Sequence, residues 1–207
     1  MNPPETKKIL ALCDLDGTLT CRDTMWDFLL FAVGPFHFFL GCLKAFPFLL
    51  WHYLIRRNET KAKEFLLTLF LGNQEKMALE KLADRYITRL QSLLRISLWK
   101  KIMDIKSNGG RVVIVTASLD LWVEPWCRRN GMDLISSRAQ WSEGRFTGRL
   151  AGANCRGNEK VRRIQEAIPL AEYDEILAWG DSPSDVPMLH LAHRSWYKGK
   201  PFKGSTP

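Results

Sequence analysis

The sequence predicts an α/β protein with a parallel sheet and an inserted helical unit, and three observations predict it. Three short apolar runs, Ile9 to Cys13, Val112 to Val115 and Ile176 to Trp179, have the continuous hydrophobic character of strands buried on both faces. Each run ends at an acidic or hydroxyl residue, at Asp14, Thr116 and Asp181, where open α/β sheets carry their ligand-binding groups. Helical patterns alternate with the runs, except between the first and the second, where a long segment is helical throughout.

The first run follows Lys7-Lys8 and opens into the polar loop Asp14-Leu-Asp-Gly-Thr-Leu-Thr. Residues 21–106 are read as a helical cap inserted into a catalytic core of residues 1–20 and 107–207. The linkers are expected near Thr20 to Asp23 and Ser97 to Lys106. Within the cap the chain is first very apolar, then amphipathic from Lys61 onward. Asn108-Gly-Gly is a turn signal that opens the second run. The helical pattern from Leu119 to Asn130 stops at Gly131, with Ser118 as its expected N-cap. Ser137 to Leu150 alternates about Ser142-Glu-Gly-Arg and is expected to be a hairpin at the edge of the core. A further helix, Asn158 to Ile168, stops at Pro169 before the third run.

Composition narrows the function. Of 207 residues, 46% are hydrophobic and 25% charged, which are globular values. The five cysteines are odd in number and lack CxxC spacing, so reduced thiols in a cytosolic compartment are expected and a structural zinc site is not. None is followed six positions later by arginine, which removes the thiol-phosphatase loop Cys-x5-Arg. The net charge of +8 suits a partner carrying phosphates. The basic residues are spread along the chain and form no tract, so no nucleic-acid partner is expected. Met1 to Lys8 has no apolar run of the secretory kind.

Asp14-Leu-Asp16-Gly-Thr, Thr116 at the end of Val112-Val-Ile-Val, Lys160 in Gly157-Asn-Glu-Lys, and Gly180-Asp-Ser-Pro-Ser-Asp185 stand in the order of the four motifs of the haloacid dehalogenase-like superfamily of phosphatases, which the chain resembles from residue 14 to residue 185. The resemblance implies a Rossmann-like parallel-sheet core. It also implies a phosphomonoesterase with Asp14 as covalent nucleophile and Asp16 as the acid and base that serves the leaving group and the hydrolytic water. The implied cofactor is Mg2+, held by the Asp14 carboxylate, the Asp16 backbone carbonyl and the Asp181 carboxylate, with Asp185 steadying a metal-bound water. Thr116 and Lys160 are implied to donate to the phosphoryl oxygens. An acid at the Asp16 position separates the phosphatases and phosphomutases of the superfamily from its dehalogenases and ion-pumping ATPases.

A cap between the first two motifs resembles the phosphoserine-phosphatase-like branch. Asp23 stands where that branch carries a substrate-contacting glutamate. Its shorter side chain reaches less far toward a substrate amino group, and it is equally suited to capping the first cap helix. From Phe28 to Leu43 the cap has no charged residue, and its apolar character resumes after Lys44 as far as Ile55, before Arg56-Arg57. Pro35 and Pro47 interrupt it, leaving no run of the ~20 residues a spanning helix needs. The stretch is expected either to fill the cap's interior or to seat on an anionic membrane surface, peripheral on its inner face. A looser resemblance to phosphatidylglycerophosphatase C enzymes favours a lipid phosphate; a small soluble phosphate, or transfer to an alcohol, is the alternative.

Overall fold

A computed structural model describes residues 7–51 and 58–202. Arg56-Arg57, expected to close the apolar stretch, lies outside the described residues. The three apolar runs are strands β1 (Ile9–Cys13), β2 (Arg111–Leu119) and β6 (Glu175–Gly180). With β3 (Asp133–Ser137), β7 (Arg194–Tyr197) and β8 (Lys200–Pro201) they form a six-stranded sheet in the order β3-β2-β1-β6-β7-β8. Every pairing is parallel except that of β8. Cys13 is in register with Ile114 on one side and Trp179 on the other, so the residues just beyond these strands meet at one edge.

Alternation along the strands sends side chains to two buried faces. Leu10, Leu12, Val113 and Val115 pack with Ile164 of helix α6 (Asn158–Ala167) and with Met188 and Leu189 of the short helix α7 (Val186–Leu189). Ala11, Cys13, Val112 and Ile114 pack on the other face with Ile102 of α4 (Ile96–Ser107) and Trp122 and Trp126 of α5 (Asp120–Arg129). The sheet is therefore wound on both sides, and the chain has the mixed α/β architecture expected of it.

Between β1 and β2 lie α1 (Thr24–Leu50), α2 (Glu59–Leu71) and α3 (Lys76–Ser92), followed by α4. Phe28 stacks on Trp122 at 4.9 Å and meets Tyr86 edge-on at 5.0 Å, so the helical insertion and the α5 side of the sheet share one apolar cluster. Asp27 is buried in this contact, where Arg89 donates to it at 2.6 and 2.7 Å and the Tyr86 hydroxyl at 3.0 Å. A kink at Gly34, with φ 77° and ψ 162°, divides α1 in two, and Pro35 starts the second half. Pro47 lies inside that half without interrupting it.

Two expectations change. The segment from Ser97 to Lys106, expected as a linker, lies within α4, because Ile102 is fully buried under β1 and β2. The hairpin expected about Ser142-Glu-Gly-Arg forms, as β4 (Ala139–Ser142) and β5 (Arg145–Leu150), and makes a separate two-stranded sheet facing α2. Its contact depends on Gly148, at φ 79°, where a Cβ would lie 2.2 Å from Thr68 Oγ1. Ser118 is a strand residue, and the N-cap of α5 is Leu119.

Candidate active site

The loop after β1 is turned by Gly17 at φ 79°, and a Cβ there would sit 2.4 Å from Asp181 Oδ2. Thr18 Oγ1 donates to Asp181 Oδ1 at 3.1 Å. The close approach of this loop to the end of β6 therefore needs a residue without a side chain and with access to positive φ. At Gly180 the constraint is steric alone: a Cβ would meet Asp185 Cβ at 2.4 Å.

Asp14, Lys160, Asp181 and Asp185 meet in the space so formed. Lys160 Nζ donates to Asp14 Oδ1 and to Asp185 Oδ1, both at 2.6 Å, and all three side chains are buried. The second Asp185 oxygen accepts from the backbone N–H groups of Asp181 and Ser182, at 3.2 and 2.9 Å, and from Ser182 Oγ at 2.8 Å. One carboxylate oxygen from each of Asp14, Asp181 and Asp185 lies within 4.8 Å of the others.

Three carboxylates against one ammonium leave an excess of negative charge. Burial pushes Asp14 up to about 7; Lys160 opposes that shift, while Asp185 and Asp16 add to it. Burial raises Asp181 as well. Burial would raise Asp185 too, but Lys160 and Ser182 outweigh it and hold it below the usual carboxylate range. Lys160 itself would be lowered by burial, yet its two carboxylate partners hold it above the ordinary ammonium value. A buried, oxygen-only cluster with uncompensated negative charge fits a hard divalent cation.

A second group faces the same loop. Asp16 Oδ1 accepts from the Thr24 N–H at 2.6 Å, and Asp16 Oδ2 accepts from Ser118 Oγ at 2.6 Å and, more weakly, from Thr116 Oγ1 at 3.4 Å. Thr116 also accepts from the Ser118 N–H at 2.9 Å, which fixes its hydroxyl. Asp23 stands one step outward. Its Oδ1 caps α1 by accepting from Met25 and Trp26 N–H at 2.9 and 3.2 Å, and the surrounding walls together with Asp16 push it up to about 6, although the side chain still reaches solvent.

Two residues beyond those expected belong to this group. Ser118 takes the strongest side-chain contact to Asp16. Lys63, on the first turns of α2, reaches across to donate to the Ala117 carbonyl and to Asn154 Oδ1, the latter at 3.3 Å. Burial lowers Lys63 to about 8 even though Asp16 and Asp23 favour its charged form. Among the described residues it has no carboxylate within ion-pair distance. The start of α2 is further fastened to the core by Glu59 with Arg156, Thr60 with Asn154, and Glu64 with the Leu150 N–H.

Gly17→Ala is expected to push Asp181 away from Asp14 and Asp185 and to weaken divalent-cation binding at this cluster by about 10–100-fold, the range found when the surroundings of a metal ligand are disturbed. Calorimetric titration checks this; unchanged affinity would show that the loop contact does not set the cluster.

The family model for haloacid dehalogenase-like hydrolase matches residues 11–190. Protein CicA of Caulobacter vibrioides is 36% identical over 202 residues, covering 93% of this chain and 88% of that protein. A solved protein with unknown function from Bordetella pertussis Tohama I is 25% identical with a TM-score of 0.75, covering 92% of this chain and 89% of that one. A phospho-aspartyl intermediate analogue of phosphoserine phosphatase shares the fold, with a TM-score of 0.61 at 20% identity over 91% of this chain and 85% of that one.

Proposed function

The chain belongs to the haloacid dehalogenase-like hydrolase family, and from that premise we propose that it hydrolyses phosphomonoesters with Asp14 as the nucleophile. The observation that carries the reading is that two carboxylates of one loop stand in opposite surroundings. Asp14 is buried against Lys160 and two further carboxylates, whereas Asp16 is half-open and held by a backbone N–H and two hydroxyls. Paired acids whose environments differ in this way take different roles in one reaction.

Magnesium, held by the carboxylates of Asp14 and Asp181 and the backbone carbonyl of Asp16 with Asp185 beside it, would supply the positive charge that lets a carboxylate approach a phosphate dianion. Asp14 attacks phosphorus, the bond from phosphorus to the ester oxygen breaks, and Asp16 gives its proton to that departing oxygen. Asp16 then takes a proton from the water that attacks the aspartyl-phosphate, releasing phosphate and restoring Asp14. Lys160 and Thr116 donate to the phosphoryl oxygens, and Ser118 and the Thr24 N–H hold Asp16 in place.

The exposed apolar face of α1 favours a phosphate carried on an apolar anchor, such as a lipid phosphate. Lys63 favours a second reading. A cation facing Asp16 stands where a small leaving group with its own negative charge would lie, as in a soluble phosphorylated metabolite. Asp16→Asn tests the reaction type. It should slow first-turnover, Mg2+-dependent release of the alcohol from an alkyl phosphate by about 10²–10⁴-fold, the usual contribution of acid–base catalysis, and less from an aryl phosphate whose leaving group needs no proton. Equal first-turnover losses on both substrates would remove Asp16 from leaving-group protonation.

A further inference from the structure

The second half of α1 packs by one stripe and exposes the opposite one. Phe38 stacks on Phe70 at 5.5 Å, Gly41 lies against the same ring, Ala45 is buried and Phe48 stacks on Phe65 at 3.9 Å. On the other side Phe36, Phe39, Leu43 and Phe46 are 61–69% exposed, with Leu40 and Leu50 also open to solvent. Their recurrence every three or four residues makes a continuous stripe, where a helix resting on a protein surface normally carries polar side chains. Thr24–Phe48 has the length and hydropathy of a membrane span, but only 22% of its apolar 18-residue window is buried, unlike a core helix. A straight span is excluded by the kink at Gly34 and by the tethering of Thr24, Asp27 and Phe28 to the core.

Charge decides what covers the stripe. No acidic residue occurs between Asp27 and Glu59, while Lys44, Arg56 and Arg57 do, in a chain of net charge +8. Lys44 is exposed on α1 itself, and the cleft that Phe48 lines at the end of the helix carries two bases, Lys61 and Arg149, against one acid, Glu64. A second copy of the same face would bring like charges together, whereas an anionic bilayer offers both an apolar interior and opposite charge. We propose that the exposed face of α1 seats on the surface of an anionic membrane, with Phe36, Phe39, Leu43 and Phe46 entering the acyl boundary and Lys44 among the headgroups. Access to lipid-borne phosphomonoesters rests on the hydrolase reading; the seating itself does not.

The test is co-sedimentation with sucrose-loaded vesicles of equimolar phosphatidylglycerol and phosphatidylcholine, or of phosphatidylcholine alone, alongside hydrolysis of a soluble aryl phosphate. Wild-type protein should pellet with the anionic vesicles, less so at high salt, and bind phosphatidylcholine at least tenfold more weakly. The combined change Phe36→Ser, Phe39→Ser and Leu43→Ser should cut anionic binding tenfold or more and leave aryl-phosphate hydrolysis unchanged. If that variant loses its helical circular dichroism, Lys44→Glu decides alone, with a several-fold loss of anionic binding at unchanged hydrolysis. Wild type that stays in the supernatant, or variants that bind as well as wild type, would overturn the proposal. So would a dimer in size-exclusion chromatography that the triple change dissolves without vesicle binding ever appearing, which assigns the face to a second copy. Vesicle binding without any phosphatase activity would leave the seating standing and sink the hydrolase reading instead.

Discussion

Asp14→Asn should abolish Mg2+-dependent phosphate release, with a loss on the order of 10⁴-fold or more, while the protein stays folded. The amide keeps the volume of the side chain but is neither a nucleophile nor an anionic metal ligand, and removing a nucleophile from a working set typically costs losses of that scale. The fold should survive because the change removes one of the three crowded carboxylates and leaves Lys160 its second partner, Asp185. Circular dichroism and phosphate release are the two readouts. Retention of more than a small fraction of turnover in a folded variant would move the nucleophile elsewhere.

Lys160→Met is expected to cost both activity and stability. Breaking a buried ion pair by removing one partner costs about 3–5 kcal/mol, because the remaining charges are left uncompensated. Here the remainder is Asp14 and Asp185, both buried, with Asp181 beside them. The loss should depend on pH. Burial raises Asp14 from 3.8 to about 7 even with Lys160 present. Between about pH 4 and 7 the metal-free folded chain therefore keeps a proton that the unfolded chain has released, and stability falls as pH rises through that window. Without the ammonium the shift grows, so the window should extend upward and the variant should be much less stable at pH 8 than at pH 5. Thermal melts in chelator at the two pH values check this. An equal loss at both would mean that Lys160 does not compensate the carboxylates.

The parts of this architecture that could be read from the sequence are those where burial leaves a continuous trace. Strands β1, β2 and β6 are covered on both faces, so they appear as apolar runs, and the residues beyond them meet because parallel register aligns their ends. Asp133-Leu-Ile-Ser-Ser and Arg194-Ser-Trp-Tyr are short, partly polar strands and leave no such run. Lys63 was not legible because a lysine on an amphipathic helix has the pattern of a solvated face. It becomes part of the crevice only through contacts with Ala117 and Asn154, far along the chain. Ser118 was masked by the commoner role of serine before a helix; β2 runs to Leu119, four residues past its apolar run Val112 to Val115, and points the Ser118 hydroxyl at Asp16. Asp23 is the reverse case, where the capping role that local sequence supports is the one its carboxylate takes. In α1 the composition is apolar on every side, so sequence alone could not tell a packed stripe from an exposed one. The kink at Gly34 and the fit of Gly41 against Phe70 set that division.

The measurement that tests the central claim most directly is acid quenching during turnover of an aryl phosphate with Mg2+, followed by peptide mass mapping. Asp16→Asn suits it, because an aryl group departs without a proton while hydrolysis of the intermediate lacks its base. One phosphoryl group should accumulate on the peptide carrying Asp14, and none should appear when Asp14 is also changed to asparagine. Steady release of phosphate with no label on that peptide, or label on a residue other than Asp14, would contradict the account.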